Sequence, residues 1–316
     1  MIQTLELFGG IGAPRCALRN IGVPVKAIDY VEIDEKAVRS YNAMFEHDYH
    51  TQTVVGWNLR PDILIHGSPC QDFSIAGKQK GADEGTETRS SLMWETIKII
   101  KSFGEWKPKV VIWENVKNVR SKYMVHNHER YLSEMSKLGY TNNYALLDAR
   151  SFGLPQARQR YFTVSLLGNK RFNFDDMERH VLKNVWDFIL PDSAVSDIYT
   201  IKSPSMLNKI KSDNFDNAPM RYFSVIKNFV YTITTKQNRC PNSGIIRRPN
   251  GTYRLLTELE CWRLQGFTDD DYYNALKANP SKANCQNTAL YKQAGNSIAI
   301  PILEELFKTI LNGNYL

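Results

Sequence analysis

An α/β fold is what this 316-residue chain predicts: a doubly wound, mostly parallel sheet with a smaller irregular unit attached. Three observations carry that expectation. Apolar runs of strand length alternate with helical stretches as far as about residue 167, as parallel β-α-β units require. The first strand-to-helix turn, "GGIG", is rich in glycine. The alternation then fails near residue 170 and gives way to mixed segments rich in Asn, Ser and Pro.

The elements follow in order. "IQTLELF" reads as a first strand and "APRCALRNIG" as the short helix after the glycine turn. "VKAIDYVEI" is a second strand ending in acids, followed by the helical "DEKAVRSYNAMF". A buried strand covers Asp62 to His66. "SSLMWETIKIIKSFG" places apolar residues at 93, 97 and 100 and stops at a glycine, so it reads as a helix. "PKVVIWENV" is a continuous apolar run between proline and charge, fit for a strand covered on both faces. A helix near "ERYLSEMSKLGY" and strands at "NYALLDA" and "RYFTVSLLG" complete the sheet. At the end, Leu303, Leu306, Phe307, Ile310 and Leu311 keep helical spacing behind Pro301. The expected division is residues 1–174, completed by 286–316, against 175–285.

Composition narrows the class. With 42% hydrophobic and 23% charged residues, the chain is an ordinary globular protein. No apolar run approaches the roughly 20 residues that span a bilayer, and the acid-bearing N-terminus does not fit a signal peptide. Five cysteines without a C-x-x-C pair fit free thiols in a reducing cytoplasm. His126 and His128 in "VHNHERY" share letters with a nuclease signature but run into a helical pattern, and no metal is expected there. Residues 202–254 hold ten Lys or Arg against Asp213 and Asp216, a local charge of +8, while the rest of the chain carries −1. Aromatic residues, among them Phe229 and Tyr231, are interleaved with those charges. Such a segment is either a solvated surface or the footprint of a phosphate backbone.

Three clusters carry chemistry. In "LFGGIGAPR" glycines between strand and helix let a ligand approach the backbone, and Glu32, twenty residues beyond Gly12, suits ribose hydroxyls. By itself that pattern fits a nicotinamide enzyme and an S-adenosylmethionine enzyme equally. "HGSPCQDFS" puts Cys70 where a buried strand gives way to a loop, and "VVIWENV" puts Glu114 at the mouth of the same sheet. "PQARQRYF" presents Arg158 and Arg160 on one face of an extended segment. A thiol, a carboxyl group and paired cations fit covalent attack on an electron-poor ring.

On these motifs the chain resembles the DNA cytosine-5-methyltransferases of bacteria and phages, nearly end to end. The matching stretches run in the family's order: "ELFGGIGAPR", "VEID", "GSPCQDFS", "ENV", "QARQR", "RLLTELECWRLQGF" and "GNSIAIP". Glu6 stands where aspartate is more usual. The resemblance implies a fold of the S-adenosylmethionine-dependent methyltransferase type and a cytosine flipped out of duplex DNA. It makes Cys70 the nucleophile at carbon 6, Glu114 the acid at ring nitrogen 3, and Arg160 with Arg158 the orienting cations. It assigns Phe8, Gly10, Gly12, Glu32, Ile33, Asn296 and Ser297 to S-adenosyl-L-methionine. Asp48 is the expected contact to its adenine, on a stretch that departs from the family pattern. "AGKQKGADEGTETR" would close over the DNA, and target recognition would lie within residues 175–245. The partner is double-stranded DNA, with room for a companion restriction endonuclease, and the enzyme is expected to be a cytoplasmic monomer. The rival is a tRNA cytosine-5 methyltransferase of the same family.

Overall fold

The computed structural model describes residues 2–55, 61–67, 92–211, 224–239 and 241–316, and of residues 25–28 the backbone alone. Strands β1 (Ile2–Leu7), β2 (Val25–Val31), β3 (Ile63–His66) and β4 (Val110–Val116) run parallel. The chain continues through β5 (Tyr140–Asp148), the short β6 (Gln156–Ala157) and β7 (Gln159–Leu167). The six-stranded sheet has the order β2-β1-β3-β4-β7-β5, and β7 is antiparallel to both its neighbours. The reversal has a simple cause. A parallel return needs a crossover of a dozen or more residues, and between β5 and β7 lie only a 3₁₀ turn and the two-residue β6.

The helices are α1 (Ala13–Asn20), α2 (Glu35–Phe45), α3 (Met93–Ser102) and α4 (Val125–Lys137). Asp34 caps α2 by accepting the Lys36 backbone N–H at 3.0 Å. Helix α3 buries Met93, Ile97 and Ile100 as its spacing predicts, and Gly104, in the left-handed region at φ 57°, follows its end. Alternate strand residues feed two cores, one on each face of the sheet. Ile63, Ile65, Val110 and Ile112 enter one, and Leu5, Leu7, Leu64 and Val111 enter the other.

Beyond residue 170 come α5 (Pro204–Ile210) and the two-residue strands β8 (Val230–Tyr231), β9 (Ile246–Arg247) and β10 (Tyr253–Arg254). Four helices follow: α6 (Glu258–Arg263), α7 (Asp269–Ala278), α8 (Thr288–Asn296) and α9 (Ile300–Asn312). Thr257 and Glu260 form a capping box that starts α6. One apolar cluster runs from Ile11 through Phe172, Ile233 and Trp262 to Ile310, so the irregular region shares a core with the sheet. Helix α9 lays Leu303, Leu306, Phe307 and Ile310 into that core and packs beside α1. Each such side chain contributes about 2 kcal/mol on leaving water.

The structure corrects the reading of the basic segment as one exposed surface. Arg254 is 1% exposed and forks onto Glu260 at 2.8 and 2.9 Å, deep in the core. Arg248 lies beside Asp192, and Lys202 pairs with Asp197 at 2.6 Å. Lys209, Lys211, Lys227, Lys236, Arg239 and Arg247 are the exposed remainder among the described residues. Arg221 lies outside them.

Candidate active site

The carboxyl ends of β1 to β4 open on one crevice, where ligands bind in open α/β sheets. At the end of β1 the loop turns through three left-handed residues, Phe8 (φ 57°), Gly10 (φ 57°) and Gly12 (φ 74°). Two glycines here are required by close packing. A Cβ on Gly9 would meet the Tyr30 ring at 2.6 Å, and one on Gly12 would meet Tyr41 at the same distance. Above Gly10 there is open space. Tyr30 and Tyr41 stack at 3.7 Å under the loop, and the Tyr30 hydroxyl donates to the Gly10 carbonyl. No motif in the sequence signals that aromatic floor.

Glu32 binds loop and strand end together. One carboxylate oxygen accepts Gly10 N–H at 2.9 Å, and the other accepts the N–H groups of Ile33 and Asp34 at 2.8 Å. A carboxylate offers about four acceptor positions, so three backbone donors leave capacity for a hydroxyl. Ile33 beside it is 76% exposed, an apolar surface without cover. Open space over Gly10, a carboxylate with spare acceptor capacity and a bare apolar side chain fit the adenosine part of S-adenosylmethionine.

Asn296 is the exposed last residue of α8, and Ser297 is its buried C-cap. Helix α8 is held against α2 by Gln293, which donates to the Lys36 carbonyl at 2.9 Å and accepts from the Ser40 hydroxyl at 3.2 Å. Asp48 does not join this group. It is exposed beyond the C-terminal end of α2, an 11-residue helix about 16 Å long whose other end adjoins Glu32. The chain that returns to Glu32 does so at Gln52, whose N–H reaches the Glu32 carbonyl at 2.8 Å.

Glu6, inside β1, is 2% exposed, and burial pushes its carboxyl up to about 7 against the opposing pull of Arg15 and Tyr41. One of its oxygens is buried with no hydrogen-bond partner. The glutamate in place of the usual aspartate is therefore a buried acid rather than a solvent-facing one.

The second cluster lies at the end of β4. Glu114 Oε1 and Arg160 Nε form an ion pair at 3.1 Å, the two side chains being 13% and 15% exposed. Register explains the meeting: β4 and β7 are antiparallel neighbours, and Glu114 pairs with Phe162, two residues from Arg160. Burial raises the Glu114 carboxyl above the ordinary carboxylate range, while Arg160 and, less strongly, Arg158 pull it back. A Cβ on Gly67, the residue after β3, would lie 3.8 Å from Glu114 Oε2. The strand leading to "SPC" thus ends at the glutamate. Cys70 itself, residues 76–89 that were expected to close over the DNA, and Cys240 lie outside the described residues.

Arg158 is 2% exposed, and its guanidinium donates to the carbonyls of Ile233 (3.1 Å), Gly295 (3.0 Å) and Ser297 (2.6 Å). Gln156, to which the motifs assign no role, grips the other side of Ile233 by accepting its N–H at 3.0 Å. The alternation of Gln156 with Arg158 is the signal that points to it. Gly295 is needed for a related reason: a Cβ there would lie 2.4 Å from the backbone of Thr234 and Thr235. Arg160 therefore faces the carboxyl group, and Arg158 ties the cofactor-side turn to the segment after β8. His126 and His128 fall on α4, where His128 contacts Arg120 at 2.9 Å and Thr163 at 3.3 Å.

Comparison with known proteins decides what this crevice belongs to. The family model for C-5 cytosine-specific DNA methylases matches residues 2–312. The chain belongs to that family. It is 30% identical to the Type II methyltransferase M2.ScrFI of Lactococcus lactis subsp. cremoris, over 98% of this chain and 99% of that one. It is also 30% identical to the Type II methyltransferase M.HhaI of Haemophilus parahaemolyticus, over 96% and 92%. The crystal structure of S. pombe Dnmt2 methyltransferase superposes with a TM-score of 0.78 at 19% identity, covering 100% of each chain, which shows the shared fold. As a C-5 cytosine-specific DNA methylase, this protein is a DNA (cytosine-5-)-methyltransferase, and its cofactor is S-adenosyl-L-methionine. Among the described residues no helix is long and apolar enough to cross a membrane.

Proposed function

We propose that the enzyme methylates carbon 5 of a cytosine flipped out of a specific duplex sequence, through a transient bond to Cys70. The observation that carries this reading is the Glu114–Arg160 pair, held at the mouth of the sheet beside Gly67. Cys70 follows Gly67 by three residues, a length of chain that reaches at most about 11 Å. Flipping is required because the ring carbons of a stacked base are out of reach.

The Cys70 thiolate adds to carbon 6, forming a carbon–sulfur bond. Glu114, whose burial shifts it toward the protonated form, gives its proton to ring nitrogen 3, so the displaced electron pair rests on carbon 5 as an enamine. Arg160 then faces the carboxylate that remains and stabilises it. Bound S-adenosylmethionine supplies the methyl group that carbon 5 receives. A solvent base takes the carbon-5 proton, the carbon 5–carbon 6 double bond re-forms as the carbon–sulfur bond breaks, the thiolate is freed, and the nitrogen proton returns to Glu114. Arg158 serves as a positioning residue, since three of its N–H groups are held by backbone carbonyls.

Phe8, Gly10, Gly12, Glu32, Ile33, Asn296 and Ser297 would hold the cofactor, with Glu32 on its ribose. The same reading assigns catalysis to residues 1–174 with 286–316, target recognition to 175–285, and a monomer of the bacterial or phage-infected cytoplasm. A companion restriction endonuclease is supported by the Type II names of the relatives. The test is incubation with labelled S-adenosylmethionine and either duplex DNA or tRNA. Label in duplex cytosine is expected; label in tRNA alone would favour the rival substrate.

A further inference from the structure

A notch at the start of α2 holds more positive charge than its own acids neutralise. It is a concavity of about 430 Å³ between the first turn of α2, residues 235–239 and the first half of α8. Four cations line it, Lys36, Lys236, Arg239 and Lys292, with Asp34 and Glu35. Both acids are already engaged: Asp34 pairs with Lys292 at 2.5 Å and Glu35 with Arg39 at 2.9 Å. Lys36, Lys236 and Arg239 have no acidic partner among the described residues, and all three are exposed. Like charges gathered in one hollow repel, and an anion placed among them relieves that repulsion.

The hollow is also held in shape before anything binds. Gln156 and Arg158 fix Ile233 from both sides, and the backbone of Thr234 and Thr235 lies directly on Gly295. Residues 235–239 therefore leave a fixed point, which lowers the ordering cost of binding. Among the described residues no aromatic side chain lines the notch, so none of them offers a nucleobase a ring to stack on. That favours a phosphate of a polymer backbone over a free nucleotide. Two of the three unneutralised cations also come from the segment that carries the +8 charge.

We infer that this notch grips one backbone phosphate of the substrate duplex, with Lys36 of the cofactor-side helix joining Lys236 and Arg239. The inference rests on the reading that duplex DNA is the substrate. The test measures duplex binding across a salt series for wild type, for Lys36→Gln combined with Lys236→Gln, and for Lys109→Gln. Lys109 immediately precedes β4, at the end of the strand away from the crevice. The double variant should lower the slope of log affinity against log salt by about 0.9, one phosphate's worth, equally on target and non-target duplexes. Lys109→Gln should leave the slope alone. Unchanged slopes in the double variant would overturn the notch while leaving the substrate reading intact. So would inorganic pyrophosphate bound at the notch with the DNA slope unaffected. Wild-type protein that neither binds nor methylates duplex DNA would overturn the substrate reading itself.

Discussion

Two carboxyl groups raised by burial sit in strands with only β3 between them, and their surroundings treat them in opposite ways. Glu114, at the end of β4, shares its crevice with Arg160 at 3.1 Å. Glu6, within β1, lies under the glycine loop with one oxygen unpartnered. Burial raises both. Beside the paired group stand Gly67 and the approach to Cys70; around the other stand tyrosines and the floor of the cofactor loop. A raised carboxyl therefore marks chemistry only where a cation and an opening accompany it. Elsewhere it is a stability cost that varies with pH.

That contrast can be broken experimentally, and the largest effect is expected at the paired carboxyl. Glu114→Gln keeps the shape but removes the acidic proton, so the methylation rate should fall by about 10²- to 10⁴-fold with cofactor binding retained. In the wild type the rate should decline as pH rises through the raised Glu114 pKa, because the proton it donates is then lost. A Glu114→Gln variant that kept wild-type turnover, or the same alkaline limb, would remove Glu114 from the mechanism.

Arg160→Ala should act through its neighbour. Arg160 holds the Glu114 carboxyl down, so its loss should move the alkaline limb of the pH–rate profile to higher pH while lowering the maximum rate. A lower rate with an unmoved limb would mean that Arg160 contacts only the substrate.

The smallest effect should come from Glu6, and in stability rather than rate. Its folded-state pKa is raised from 4.5 to about 7, so the contribution is whole below pH 4.5 and lost as pH rises through 7. The difference amounts to about 3 kcal/mol at most. Glu6→Gln should erase this loss, so the variant gains on the wild type between pH 4.5 and 8 in urea unfolding. Parallel pH curves for the two proteins would show that Glu6 is not the buried acid described.

How far the sequence reaches depends on how local the deciding interaction is. Strand and helix positions are legible because burial imposes period 2 and 3.6 along the chain itself, as at Met93, Ile97 and Ile100. Glu32 is legible because its partners lie within one β-α-β unit. The reversed β7 follows from the brevity of the β5–β7 connection, a length rather than a motif. Arg254 looks like part of a DNA-facing patch, because no pattern of charges shows that Glu260 would meet it in the core. Gly295 stays hidden because its partners, at 234–235, are brought in only by the tertiary fold. The return of the chain to Glu32 at Gln52 is not legible either, because no pattern after α2 marks which residue makes that contact.

The central claim is a covalent bond between Cys70 and carbon 6 of cytosine. Its most direct test is to incubate the enzyme and cofactor with duplex DNA carrying 5-fluorocytosine, which cannot lose a proton from carbon 5, and to map the trapped adduct by mass spectrometry. The adduct should lie on the peptide containing Cys70 and vanish in Cys70→Ala. An adduct on another side chain, or methyl found on the exocyclic amine of unmodified substrate, would contradict the account.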